Sequence, residues 1–402
     1  MTTTTATPQS TPAATGKISK TAAYYAAFVT LGLASASLGP TLPNLAEHTQ
    51  TLLSEISFLF TARSLGYLLG SLFGGRVYDR MAGHPLMGMM LLVVVVMLIL
   101  VPLIPLLLLL TLTLLVLGMA EGMVDVGGNT LLVWVHRHRV GPFMNGLHFF
   151  FGVGAFLSPI IIAQAVLLSD DITWAYWVLA LLVLPVALWL LRLPSPANQV
   201  TATANAPVHI NSVLVMLIAF FFFLYVGAEI SFGGWIFTYA VALNLANETS
   251  AAYLTSAFWG ALTAGRLLAI PLAARFRPRV ILLSDLLGCL LSVGIILLWS
   301  NSLVAVWIGT LGLGLSMASV FPTTLSLAER RITITGQVTG RFFVGASAGG
   351  MTIPWLIGQF FEAVGPTVTM LIIFITLLAA LATFAVLIGY SAQLRLVPEQ
   401  ES

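Results

Sequence analysis

Cysteine is almost missing: Cys289 is the only one in 402 residues, so an internal disulfide and a cysteine-rich metal site are both excluded. Charge is scarce as well. Lys and Arg number sixteen and Asp and Glu fourteen, 7% of the chain against 59% hydrophobic residues, whereas an ordinary soluble domain is about a quarter charged. Too few charged groups exist to cover a water-facing surface of this size, which excludes a soluble enzyme and a nucleic-acid-binding module. The net charge of +2 says little about partners, because basic residues here act through where they sit. No nucleophile–base pair, His-x-x-x-His or Cys set gathers at one depth, so no catalytic residue, metal or cofactor is expected. A cleavable signal is also lacking, and the first apolar segment reads as a retained span.

What is present is apolar sequence. Runs such as Leu106–Leu110 within Leu86–Leu117 are long enough for bilayer-spanning helices and far too long for membrane strands. Cutting at charged or Pro/Gly-rich joints gives about twelve spans, starting near residues 21, 55, 86, 111, 142, 173, 211, 250, 280, 302, 336 and 367. The segment Pro194–Pro207 is the longest polar interruption and falls after the sixth span. The expected organisation is therefore a disordered cytoplasmic tail over 1–20, a six-helix bundle over 21–193, a cytoplasmic linker over 194–210, a second bundle over 211–391 and a tail over 392–402. With the first residues inside the cell, fourteen of the sixteen Lys and Arg, from Lys17 and Lys20 through Arg76, Arg80, Arg137 and Arg139 to Arg395, fall at or near inner ends. Both termini are then cytoplasmic. The expected setting is a multi-pass monomer in the plasma (inner) membrane, with the lipid bilayer as its main partner.

An internal similarity accompanies the two halves. A shift of 195 residues places Gly32 on Gly227, Gly39 on Gly234, Gly70 on Gly265, Arg80 on Arg275, Gly141 on Gly336, Gly154 on Gly349 and Pro159 on Pro354. Backbone-sensitive residues recurring at one offset predict an all-α membrane protein of twelve transmembrane helices in two pseudo-symmetric six-helix bundles.

An ionisable group inside a span costs a few kcal/mol and marks function by default. Five stand out: Arg63, Glu121, Asp125, Glu229 and Arg266. Glu121, Asp125 and Asn129 are spaced i, i+4, i+8 and share one helical face, suited to a polyol or a cation. Two acids one turn apart repel, so a proton or a cation such as sodium is expected to neutralise the pair. Asn145 and His148 lie on nearly one face of the next span, where His148 reads equally as a packed histidine. The seventh span carries Gly227, Glu229, Gly233, Gly234, Trp235 and Tyr239, whose rings offer flat faces to sugar C–H surfaces or, for Tyr239, an interfacial belt. Trp259 and Arg266 lie two turns apart on the eighth; Arg266 either pairs with Glu229 or binds substrate oxygens. The His136-Arg137-His138-Arg139 run reads as a solvated inner joint, and Asn247-Glu248-Thr249 as a glycosylation acceptor in an outer loop. Gly75, Asp79, Arg80 and Gly83 surround a tight turn at a helix end and read as a cytoplasmic ion-pair latch.

Gly75-x-x-x-Asp79-Arg80-x-x-Gly83 resembles the loop signature of the major facilitator superfamily. A closer likeness covers most of the chain. Arg63-x-Leu65-Gly66-Tyr67, Asp125-x-Gly127-Gly128-Asn129, Gly141-Pro142-x-Met144-x-x-Leu147-His148-Phe149, Phe237-Thr238-Tyr239, Phe258-Trp259-Gly260 and Phe342-Phe343-Val344-Gly345-Ala346-Ser347 resemble the sodium-dependent glucose transporter 1 branch of the fucose:proton symporter family. The resemblance implies alternating access, with a sugar held between the halves and Asp125 and Asn129 lining the cavity. Fucose-type symporters carry an acid in the first span, where this chain has Ala34-Ser35-Ala36-Ser37, so the coupling ion, Na+ or H+, stays open. The expected function is secondary active transport of a small polar solute, a monosaccharide, with ion coupling at Glu121 and Asp125. Candidate substrate contacts are Asp125, Asn129, Asn145, His148, Glu229, Trp235, Trp259 and Arg266. The alternative is a proton-coupled exporter of amphipathic molecules; an intramembrane enzyme or a sensor lacks a reactive constellation or an output domain.

Overall fold

The computed structural model describes residues 12–197, 211–332 and 336–393. The expected tails and linker fall partly outside these: residues 1–11, 198–210 and 394–402, with Arg395, lie beyond them, while 12–20 belong to the first helix. The first half comprises α1 (Pro12–Ser35), α2 (Leu38–Thr49), α3 (Leu53–Ile56), α4 (Phe58–Tyr78), α5 (Gly83–Leu100), α6 (Leu107–His136), α7 (Val140–Ser169) and α8 (Ile172–Arg192). The second comprises α9 (Ser212–Ala242), α10 (Glu248–Arg275), α11 (Pro278–Leu298), α12 (Leu303–Met317), α13 (Val320–Glu329), α14 (Gly336–Val364) and α15 (Val368–Gln393).

Short polar side chains start several of these helices. Asp171, Asn211, Asn247 and Ser302 each accept a backbone N–H of the first turn, at 2.8, 3.1, 2.9 and 3.3 Å, which satisfies donors the helix leaves orphaned. Asn247, read above as a glycosylation acceptor, is thus the N-cap of α10. Helices end where the backbone turns left-handed, at Gln50, Asp170 and Asn244, and Gly365 precedes α15 with φ +97.

Two of the expected spans are broken. α1 and α2 form one span bent by 42°, and α12 and α13 are two pieces of another, parted at Ala318–Ser319. Among the described residues, ten helices can cross a membrane by length and composition, and the bent pair makes an eleventh. α14 completes the expected twelve. It has 29 residues, about 43 Å at 1.5 Å per residue, but carries more polar groups, among them Gln337, Arg341 and Gln359. Large apolar side chains such as Leu108, Leu168 and Leu298 stay exposed on the outer surface, as they do where the solvent is lipid.

The helix pairing repeats between the halves. α1 packs on α7 as α9 packs on α14; α4 on α6 as α10 on α12; α5 on α8 as α11 on α15. The glycines found by the 195-residue shift sit at matching contacts. A Cβ on Gly154 would run into the Val29 carbonyl of α1, and one on Gly349 into the Phe223 carbonyl of α9. Only glycine lets these backbones approach so closely.

Between the halves, α4 packs on α14 and α7 on α10, with α2 against α9. Most of their bonds lie toward one face. Leu53 N–H donates to Glu362 Oε1 (2.6 Å), Gln359 Nε2 to the Ser54 carbonyl (2.7 Å), Thr61 Oγ1 to the Met351 carbonyl (2.9 Å) and Gln164 Nε2 to Tyr253 Oη (2.7 Å). A Cβ on Gly39 would stand 2.8 Å from the Gly233 carbonyl oxygen. Toward the face where α1 begins, the same helices part: Leu72 and Phe73 of α4, Leu267 to Arg275 of α10 with few exceptions, and Phe343 and Val344 of α14 are exposed. The molecule is sealed at one face and splayed at the other.

Candidate functional site

α4 and α6 build the densest polar group. Gly66, Gly70, Gly118 and Gly122 bring their backbones together: a Cβ on Gly118 would meet the Arg63 carbonyl, and one on Gly66 the Leu115 carbonyl. That close approach aligns Arg63 with Glu121 and, one turn along both helices, Tyr67 with Asp125. Arg63 donates from Nε to Glu121 Oε2 (2.9 Å) and from Nη2 to Oε1 (2.5 Å), a two-pronged pair of the kind guanidinium and carboxylate favour. Its remaining donors reach the carbonyls of Ala34 (2.7 Å) and Ser35 (3.1 Å) at the end of α1. The Ala34 carbonyl also accepts the Ser37 N–H (3.2 Å) and hydroxyl (2.8 Å) at the break between α1 and α2. Arg63 thus ties three spans.

This arrangement revises one expectation. Arg63 supplies a positive charge beside Glu121, whose exposure is 1%. Asp125 is the acid left over. Tyr67 Oη donates to its Oδ2 (2.7 Å), and Asn129 Nδ2 donates to its Oδ1 (3.2 Å) and to its backbone carbonyl (2.9 Å). Asp125, Asn129 and Tyr67 are half-buried. Two neutral donors hold the carboxylate while leaving it acceptor capacity for a cation, a proton or a sugar hydroxyl.

The other predicted residues divide between cavity and seam. His148 is exposed, its ring edge-on to Phe28 at 6.0 Å, and Asn145 is exposed one turn nearer the splayed face. From the second half, Arg266 Nη1 reaches the His148 carbonyl at 3.4 Å, so α7 and α10 meet here across the halves. Glu229 is flanked by Tyr225 and Arg266 but makes no direct ion pair among the described residues. Trp259 is half-buried against Gly233, and its Nε1 is buried without a partner. Trp235 lies elsewhere: it is fully buried, donates to the Pro354 carbonyl (3.0 Å) and lies between Phe60 and Phe361 in the sealed face. Tyr239 is also fully buried, not at a lipid belt.

The latch loop is anchored within its own half. Gly83 packs on Leu131, and the adjoining His84 is wholly buried, with Nε2 on Tyr24 Oη (2.7 Å), Nδ1 on the Leu193 carbonyl (3.0 Å) and its N–H donating to Ser195 Oγ (2.9 Å). Gly75 has open space around it, and Arg80 is exposed.

One intramembrane acid escaped the sequence reading. Asp285 of α11 accepts the Ser319 hydroxyl at the α12–α13 break, and Tyr225 Oη donates to the Met317 carbonyl of the same break (2.9 Å). An Asp within the apolar run Ile281–Leu287 was a sufficient signal.

The sequence pattern of the Major Facilitator Superfamily matches residues 24–354. The chain is 32% identical over 357 residues to sodium-dependent glucose transporter 1 of Xenopus laevis, covering 81% of this chain and 72% of that one. It is 33% identical over 372 residues to the Homo sapiens protein of the same name, covering 83% and 72%, and 26% identical over 448 residues to major facilitator superfamily domain-containing protein 4A of Mus musculus, covering 86% of each. Among solved structures, the nucleoside transporter NupG, in a point mutant, superposes with a TM-score of 0.73 over 93% of this chain and 99% of that one, at 12% identity. At that identity the likeness is one of fold.

Proposed function

The chain belongs to the major facilitator superfamily and is a multi-pass membrane transporter, and we propose that its cargo is a monosaccharide moved together with a sodium ion. The observation that carries this reading is Asp125: a half-buried carboxylate within the first six-helix unit, held by Tyr67 and Asn129 and not neutralised by Arg63. The names of the relatives at 32 and 33% identity support sugar and sodium over the amphipathic cargo and proton of an exporter. Asn129, Asn145, His148, Glu229, Trp259 and Arg266 surround the path between the halves; Trp235 joins them when the sealed face opens. Glu121 belongs to the ion site as Asp125's fixed neighbour, its charge balanced by Arg63. The two units, 21–193 and 211–391 with a linker at 194–210, rock about Asp125, closing one face as the other opens. Gly75, Asp79, Arg80 and Gly83 latch the splayed face when it closes. The positions of the basic residues support a cytoplasmic location for both termini, a plasma (inner) membrane setting and a splayed face turned inward, and one chain contains the whole path.

Purified protein in liposomes, given labelled hexoses and imposed sodium or proton gradients in turn, tests this. Sodium-driven accumulation of a hexose is the expected outcome. Accumulation driven equally by protons alone, or none for any hexose, overturns it.

A further inference from the structure

On the splayed face of the second half, Arg277, Pro278, Arg279, Leu327, Arg330 and Arg331 line a cleft of about 370 Å³, the size of a small-ligand site. It lies at the start of α11, where the helix dipole is positive, and among the described residues no acid lines it. Arg331 is committed to the Ser391 carbonyl (3.0 Å). Arg277, Arg279 and Arg330 make no hydrogen bond or ion pair among the described residues. Exposed apolar side chains, Leu272, Phe276 and Val280, flank the same turn.

Placing basic residues on one face requires only that they be there; it does not require them to converge. The first half shows the difference. Through the 195-residue shift, Arg279 and Arg331 correspond to His84 and His136. Both are used up internally, His84 on Tyr24 and the Leu193 carbonyl and His136 on Thr21 Oγ1 (2.7 Å). The two halves share a fold at this point, yet the first engages both imidazoles, whereas in the second Arg331 is bonded and Arg279, with Arg277 and Arg330 beside it, has no partner among the described residues. Like charges kept together in a cleft call for an anion, and guanidinium forks match the oxygens of a phosphate.

We propose that this cleft binds the phosphate of an acidic phospholipid headgroup, with the acyl chains lying along Leu272, Phe276 and Val280. The site is separate from the transport path, and its ligand is a lipid because the cleft opens beside an apolar wall at headgroup depth.

The test uses the full chain purified with equal amounts of phosphatidylglycerol and phosphatidylcholine of matched acyl chains, with retained lipid read by native mass spectrometry. Wild type should retain phosphatidylglycerol at least about tenfold over phosphatidylcholine, and Arg277→Gln/Arg279→Gln/Arg330→Gln should bring that ratio near one. The Lys triple should keep part of the preference, and Arg139→Gln/Arg192→Gln, which removes charge from the first half, should leave it unchanged. Equal loss in both Gln variants, or no loss in the triple, overturns the proposal. A thermal shift from inorganic phosphate alone as large as that from phosphatidylglycerol would assign the cleft to free phosphate and reject the lipid. If the triple does not reach the membrane, Arg279→Gln alone must lower the ratio severalfold.

Discussion

Glu121 and Asp125 stand one turn apart on α6 and meet opposite fates: the first is neutralised by Arg63, the second is held by a phenol and an amide. Removing one member of the buried pair strands the other. Arg63→Ala should therefore destabilise the protein by about 3–5 kcal/mol, and an apolar replacement of both residues, Arg63→Met/Glu121→Met, should recover much of that loss. Thermal denaturation in detergent of Arg63→Met, Glu121→Met and the double reads this as a coupling energy. A double variant as unstable as the singles together would mean that Arg63 acts chiefly through the Ala34 and Ser35 carbonyls. Asp125→Asn keeps the shape and removes the charge. It should fold with an unchanged melting temperature and lose ion-driven accumulation; undiminished accumulation in liposomes would take Asp125 out of the mechanism.

α4 and α6 can hold that ladder in register only because glycines face each other along the seam. Gly118→Val forces a methyl-bearing carbon onto the Arg63 carbonyl and should cost about 1–3 kcal/mol, with loss of uptake. Gly389→Ala, where a Cβ meets nothing within 4 Å, should be silent in the same two assays. Much at this scale was legible in sequence. Apolar runs marked the helices, and the offset of 195 found three pairs of matching glycine contacts: Gly32 with Gly227, Gly154 with Gly349, and Gly70 with Gly265. The breaks at Ala36–Ser37 and Ala318–Ser319 each have a proline four residues on, Pro40 and Pro322, which removes the helical bond to Ala36 and Ala318 and crowds their carbonyls; the partners that hold the broken ends, Arg63 and Tyr225, were not legible, because they come from other helices. The same holds for Glu121. Periodicity along α6 reveals its neighbours one turn away, whereas its real partner lies 58 residues earlier. Asp285 was readable as an acid in an apolar run, but Ser319 gains meaning only from the fold.

Across the whole molecule, the bonds of Leu53, Ser54 and Thr61 to α14 keep the two units joined at one end. If the units rock, these bonds must break once per cycle. In a Cys289→Ala background, Ser54→Cys/Gln359→Cys joined by a short thiol cross-linker should stop uptake, and cleaving the linker should restore it; full uptake while linked would rule out motion at this seam. A cysteine at Phe73, exposed at the splayed end, should react quickly with a thiol reagent, and one at Thr61 slowly, in the unlinked protein.

The seal between α2, α3, α9 and α14 also gives the resting carrier a sidedness. A bulky, membrane-impermeant blocker added to the compartment that bathes Phe73 would meet the exposed side chains of Asn145 and His148 directly, while the same compound on the far side would have to wait for the carrier to turn over. Pharmacology of this chain should therefore depend on which bath receives the drug.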